Sequence, residues 1–170
     1  MKKLLASLFA TVLIAGSASA ATYWDENPAD TWLVLINPTY TGTFDLTGVG
    51  PGKGFNPATE IITDAFASFK FYDLVGPEEF SVSFDTQFFG SGSSFFGEFV
   101  IDGDVVGSAL ISLQQNGILS YTAQIDEWWA SVLLVEARLD VSTRQVPDSA
   151  SVVALLGASL VGMSLLRRKR

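Results

Sequence analysis

The chain contains neither cysteine nor histidine. Without cysteine there are no disulfides, no thiolate nucleophile and no cysteine-held metal. Without histidine the usual general base at neutral pH, the histidine-activated serine and the common zinc sites are excluded. The catalytic repertoire that is left is mostly carboxylate chemistry. Positive charge is also scarce, with ten lysines and arginines against 18 acids, and six of the ten (Lys2, Lys3, Arg167, Arg168, Lys169, Arg170) sit at the two ends. Between residues 21 and 145 there are 17 acids and four bases (Lys53, Lys70, Arg138, Arg144), a net charge of −13. Such a surface repels phosphate backbones and anionic lipid, which argues against nucleic acid as a partner. It favours solubility and attracts cations.

Both ends read as processing segments. Lys2 and Lys3 precede a twelve-residue apolar run over residues 4–15, and Ala18-Ser19-Ala20 supplies the small-residue pattern read by a signal peptidase. Spanning a bilayer needs roughly 20 residues, so the expectation is a secretory signal peptide over residues 1–20, cut after Ala20. At the other end, Val146-Pro147-Asp148-Ser149-Ala150 is followed by fifteen uncharged, mainly apolar residues, 152–166, and then by Arg167-Arg168-Lys169-Arg170. As a helix this run measures about 23 Å, or about 27 Å with the three residues before it, against a hydrocarbon core of about 30 Å. Slightly short of that core, it can barely span, and the basic cluster would hold the last residues in the cytoplasm with the acidic region outside. The alternative is a helix packed on the domain, but a helix apolar all round belongs in a membrane or a deep core.

The sequence VPDSA, a short apolar helix with Gly157 and Gly162, and a terminal RRKR resemble the VPDSG-type C-terminal sorting signal, a relative of the PEP-CTERM signals. Ala150 departs from that pattern, standing where the motif usually has glycine. The resemblance covers about 25 residues and implies recognition by an exosortase, an integral-membrane protease or transpeptidase, in bacteria that secrete exopolysaccharide. Residues 146–170 are accordingly expected to be a sorting signal that holds the protein at the membrane, transiently or stably.

The region between, 21–145, is one domain by length and can bury a sizeable core without staples. Its pattern is period-two alternation. Leu119, Tyr121, Ala123 and Ile125 alternate with polar residues, the odd positions from 133 to 141 are apolar opposite Glu136, Arg138 and Asp140, and residues 80–85 repeat the pattern. Residues 32–36, 40–46, 66–74, 95–101 and 105–113 are strand-like by their aromatic and branched content. Turn residues punctuate them at Asn37-Pro38, 50–54, Gly76-Pro77, 90–94, Asp102-Gly103 and Asn116-Gly117. About eight strands predict an all-β fold, a single antiparallel β-sandwich or jelly roll, and no stretch of 21–145 shows a convincing helical period. The segment running from Phe44 through Asn56-Pro57-Ala58-Thr59-Glu60-Ile61-Ile62 to Asp73, with Leu113-Gln114-Gln115-Asn116-Gly117-Ile118-Leu119, is similar to β-rich domains found upstream of PEP-CTERM tails. That second resemblance implies the fold and carries no activity with it.

Candidate sites are few. Asp102 and Asp104 flank Gly103 at a spacing used in calcium loops, but the further oxygens of an EF-hand-type loop are missing, so a hairpin turn with solvated acids is the better expectation and calcium the weaker one. Asp126-Glu127-Trp128-Trp129 sets two acids beside two indoles, a combination suited to stacking on and hydrogen-bonding sugar, unless the strand turns one indole into the core. Tyr23-Trp24-Asp25-Glu26 is a lesser candidate of the same kind. A glycosidase needs two carboxylates about 5 to 10 Å apart, and 17 acids make coincidental pairs unavoidable. Residues 90–94 fit neither a nucleophile elbow nor a P-loop and read as a flexible turn. The leading expectation is a non-enzymatic surface or matrix protein of structural or adhesive type. Next come a carbohydrate-binding module, calcium-assisted or not, and then a carboxylate-based glycoside hydrolase.

Overall fold

The computed structural model describes residues 19–34, 37–73, 78–85, 87–94, 96–125 and 131–146. Residues 1–18 of the expected signal segment, Ala18 included, the tail from Pro147 onward, and Asp126, Glu127, Trp128 and Trp129 lie outside the described residues, while Ala20, the expected cleavage position, opens the first strand. Among the described residues no helix is long and apolar enough to cross a membrane.

Eight strands and one helix follow in the order β1 (Ala20–Val34), β2 (Thr39–Asp45), β3 (Glu60–Asp73), β4 (Glu78–Phe84), β5 (Gln87–Ser94), β6 (Gly97–Asp104), α1 (Gly107–Asn116), β7 (Ile118–Ile125) and β8 (Ser131–Gln145). They form two four-stranded sheets, β1-β8-β3-β6 and β2-β7-β4-β5, antiparallel at every pairing. Consecutive strands cross from one sheet to the other except at the β4–β5 hairpin, which is the strand order of an eight-stranded jelly roll.

Aromatic rings fill the space between the sheets. Phe69 on β3 meets one ring from each strand of the opposite sheet: Tyr121 on β7 at 5.0 Å, Phe89 on β5 at 5.7 Å, Phe84 on β4 at 6.0 Å and Phe44 on β2 at 6.1 Å between centroids. A second cluster lies beside it, with Phe71 stacked on Phe99 at 5.2 Å and Phe80 on Phe99 at 4.0 Å. Small residues make room for these rings. A Cβ at Gly42, opposite Tyr121 in the ladder, would come within 2.3 Å of that ring, and one at Gly92, opposite Phe80, within 2.8 Å of that one.

The helix corrects the reading of residues 105–113 as a strand. Val105, Ala109 and Leu113, four residues apart, all face the core, a helical spacing concealed by the strand-like Val-Val and Ile around it. Gly117 ends the helix in the left-handed region (φ 67°) with its amide bonded to the Leu113 carbonyl at 2.7 Å. No other residue fits there, since a Cβ would meet the Thr47 methyl at 2.3 Å. Three further expectations shift. Residues 90–94 are the second half of β5 rather than a flexible turn, and Asp102-Gly103-Asp104 is the end of β6 rather than a hairpin turn. In β8 the structure buries Val132 and Leu134 where the alternation had pointed to Leu133 and Val135. A register shift between Lys70 and Phe71 of β3 then moves burial to Ala137, Leu139 and Val141.

Removing the ring that joins all four opposing strands should cost far more than removing one on the outside. Phe69→Ala is expected to lower stability by about 3–5 kcal/mol and Phe66→Ala, whose ring is 38% exposed, by less than about 1 kcal/mol. Urea unfolding of both variants checks this, and equal losses would contradict it.

Candidate functional site

The two outer faces of the sandwich differ in chemistry. On the β1-β8-β3-β6 sheet the outer face is charged. Lys70 pairs with Glu98 at 2.8 Å, while Arg138 bonds Asp140 at 2.8 Å and approaches Glu26 at 3.8 Å. The Arg138 guanidinium also lies 5.6 Å from the Trp24 ring centroid. Asp102 and Asp104 sit on this sheet, both exposed and two residues apart, so they share a face. Among the described residues no three acids come together in a way that could hold a metal ion.

The outer face of the β2-β7-β4-β5 sheet is uncharged over most of its area. The register aligns its outward residues in rows that run across the strands. Thr41 is opposite Thr122, which is opposite Ser83, which is opposite Phe88. One step along, Thr39 is opposite Gln124, then Ser81, then Ser91, and on the other side Thr43 is opposite Ser120. Strands are spaced about 4.8 Å apart and alternate residues about 6.7 Å along a strand, so the hydroxyls form a nearly regular grid. At its β5 edge, Glu79, Ser81, Phe88, Ser91 and Ser93 line a shallow depression of about 540 Å³. Phe88 is 63% exposed there, held outward by a register shift between Val82 and Ser83 that turns Phe89 into the core.

This face was hidden in the sequence because its residues come from four separated segments, and one of them, 90–94, read as a turn. The signal in the sequence is the alternation of Thr39, Thr41 and Thr43 and of Ser120 and Thr122, which marks the polar sides of two strands without bringing them together. Of the residues singled out beforehand, Trp24 and Glu26 lie on the charged face, while Tyr23 and Asp25 point inward.

The inward pair belongs to a polar network at one pole of the sandwich. Asp25 is buried, accepts the Asp45 amide at 2.7 Å and is paired with the Lys53 ammonium, which also donates to the Asp45 carbonyl. The Thr47 hydroxyl and amide, at 2.7 and 2.8 Å, hold the Asp45 carboxyl below its ordinary range. Glu60, also buried, accepts from Tyr23 (2.7 Å), the Asn56 amide (2.9 Å) and Thr143 (3.2 Å). Gln114 of α1 acts as a strand residue in miniature, accepting from the Ile62 amide at 2.6 Å and donating to the Glu60 carbonyl at 2.9 Å. Each acid here is engaged in holding backbone, which makes the network a structural clamp on the strand ends.

No family model and no curated protein matches the chain. Solved structures give likenesses at low identity. PorU from Porphyromonas gingivalis, in its dimeric latent form, matches over 75% of this chain at 13% identity and a TM-score of 0.46. The chain spans only 13% of that protein's length. The Tobacco streak virus coat protein matches over 74% of this chain and 87% of its own, at 17% identity and 0.42. A family 35 carbohydrate binding module from Clostridium thermocellum matches over 72% of this chain and 98% of its own, at 10% identity and 0.33.

Burial first, and then the bond and the charge of Glu60, push the Tyr23 hydroxyl up to about 12 from an ordinary 10. The folded protein therefore holds this proton more tightly than the unfolded chain does. The resulting stability is complete below about pH 10 and is lost as pH rises through about 12. Burial raises Tyr121 as well, so both contribute to alkaline unfolding. Tyr23→Phe is expected to cost about 1 kcal/mol at neutral pH and to make the alkaline loss shallower. Urea unfolding near pH 8 and near pH 11 measures the slope, and an unchanged slope in the variant would contradict the assignment.

Proposed function

We propose that this chain is an exported surface or matrix protein of structural or adhesive type, not an enzyme, sorted by its C-terminal signal. Its adhesive contact is the hydroxyl face of the β2-β7-β4-β5 sheet, and the partner is a neutral polysaccharide. The observation that carries the reading is that face: a flat grid of serine and threonine whose acids, Glu79 and Asp45, stand only at its margins, on a domain of net charge −13. A hydroxyl both donates and accepts, so such a grid can exchange water-mediated and direct hydrogen bonds with an equally hydroxyl-rich polymer. Phe88 at the edge adds a ring on which a sugar can stack.

The ends of the domain suit export. β1 begins at Ala20 and β8 ends at Gln145, so cleavage after Ala20 removes one residue from the first strand, and the VPDSA motif follows directly on the last. On this reading signal peptidase acts at one end and an exosortase-like protease at the other.

A carbohydrate-binding module working through Trp128 and Trp129, with Asp126 and Glu127 or with calcium, is the second reading. The same exposed Phe88 and hydroxyl rows favour sugar as its ligand, but the contact would lie in the β7–β8 connection. One experiment separates the two. The protein is co-sedimented with insoluble neutral glucan and with the exopolysaccharide of the producing cells, with and without calcium. Ser83→Lys with Thr122→Lys is expected to reduce retention about tenfold, a change of about 1.4 kcal/mol, while Trp128→Ala and Trp129→Ala leave it unchanged. The reverse pattern would move the contact to the β7–β8 connection, and no retention on any polysaccharide would sink both.

A further inference from the structure

Both chain ends leave the sandwich at the same pole. Ala20 pairs with Arg144, and the Gln145 amide reaches the Ser19 carbonyl at 3.2 Å. Val146, the first residue of the VPDSA motif, donates its amide to the Thr59 carbonyl at 2.8 Å, so the motif starts with no slack between it and the folded domain. From there to residue 152, where the apolar run begins, six residues reach at most about 20 Å. This rests on the reading given above, in which 152–166 enters a bilayer, and on that reading the pole is confined next to lipid.

The surface at that pole fits such a position. Glu60, one residue after the Thr59 tether point, is bonded through its carbonyl to Gln114 of α1, so the helix lies beside the exit of the chain. α1 turns Ala109 and Leu113 to the core and leaves Ile111 58% exposed on its other side. Val106 before it is 56% exposed and Ile118 after it 40%. No charged residue occurs anywhere from 105 to 125. In a domain with an acid at roughly every seventh position, the uncharged segment that carries α1 and its three exposed apolar side chains can approach a headgroup layer without stripping water from an ionised group of its own. Asp45, Asp85 and Asp104 flank the pole at the ends of their strands, which selects a zwitterionic over an anionic surface.

We propose that α1, with Val106, Ile111 and Ile118, is a membrane-facing surface that seats the domain on a zwitterionic bilayer at the point where its own C-terminal segment enters. The opposite pole, with the β1–β2, β3–β4, β5–β6 and β7–β8 connections, then points away from the membrane, and the hydroxyl face stands sideways to it.

Because the chain has no cysteine, single reporters can be placed without background. Ile111→Cys, Ile118→Cys and, on the hydroxyl face, Ser91→Cys are made in the full chain and labelled with an environment-sensitive fluorophore. The proteins are reconstituted into phosphatidylcholine vesicles that contain a nitroxide-bearing lipid. The expected result is a blue shift and loss of most of the emission at residues 111 and 118, with residue 91 unaffected; the two pole reporters guard against one label disturbing α1. If the protein floats with the vesicles and all three reporters stay bright and solvated, the seating is wrong while the anchor reading stands. A chain that does not float at all overturns the anchor and the seating together.

Discussion

Phe69 touches an aromatic ring on each of the four strands of the opposite sheet, and the rest of the domain depends on that contact. With no disulfide or metal available, the two sheets are held together by buried aromatic area, worth about 1.5–3 kcal/mol for each fully buried ring plus about 0.5–1.5 kcal/mol for each well-oriented pair. The glycines at 42 and 92 follow from it, since each stands where a neighbouring ring needs the space of a side chain. So does the register, because a slip by one residue would turn Phe44, Phe69 and Tyr121 outward and bring the hydroxyls in.

The same alternation that buries the rings creates the outer faces. Every inward Phe or Tyr obliges its neighbours to point outward, and the two outer faces carry different chemistry: ion pairs on one and mostly uncharged hydroxyls on the other. The domain's acids are spent on the charged face, on the rim, and on the clamp formed by Asp25, Lys53 and Glu60 at the pole where the chain ends meet.

Much of the fold was legible because period-two alternation directly reports a half-buried strand. Residues 119–125 and 80–84 show it cleanly, and both are strands. The all-β sandwich with eight strands followed from this, although one expected strand is α1 and one strand, β5, was read as a turn. The reasons are local. Val, Ile and Ser at 105–112 suit either state, and the four-residue spacing of Val105, Ala109 and Leu113 acquires meaning only once there is a core for them to face. The glycines at 90 and 92 looked like flexibility, yet they are the positions where Ile101 and Phe80 pack against the strand. The long β1 was underestimated because polar Asp25, Asn27 and Asp30 interrupt its alternation, and Asp25 is buried only through Lys53, a partner far away in sequence. The hydroxyl grid was legible only as separate polar alternations, since it exists only when four segments come into register. Asp102 and Asp104 lie together on the exposed face of β6, and the Trp128-Trp129 pair falls outside the described residues.

On the proposed reading the sandwich is a display domain, with one largely uncharged hydrogen-bonding face and with both ends of the folded region at the pole that carries α1. The central claim is that this domain works outside the cytoplasm. The intact mass of the protein recovered from fractionated native cells tests it most directly. The account predicts a mass that begins at Ala21, found in the envelope or the surrounding matrix. A mass that still contains residues 1–20, recovered from the cytosolic fraction, would contradict it.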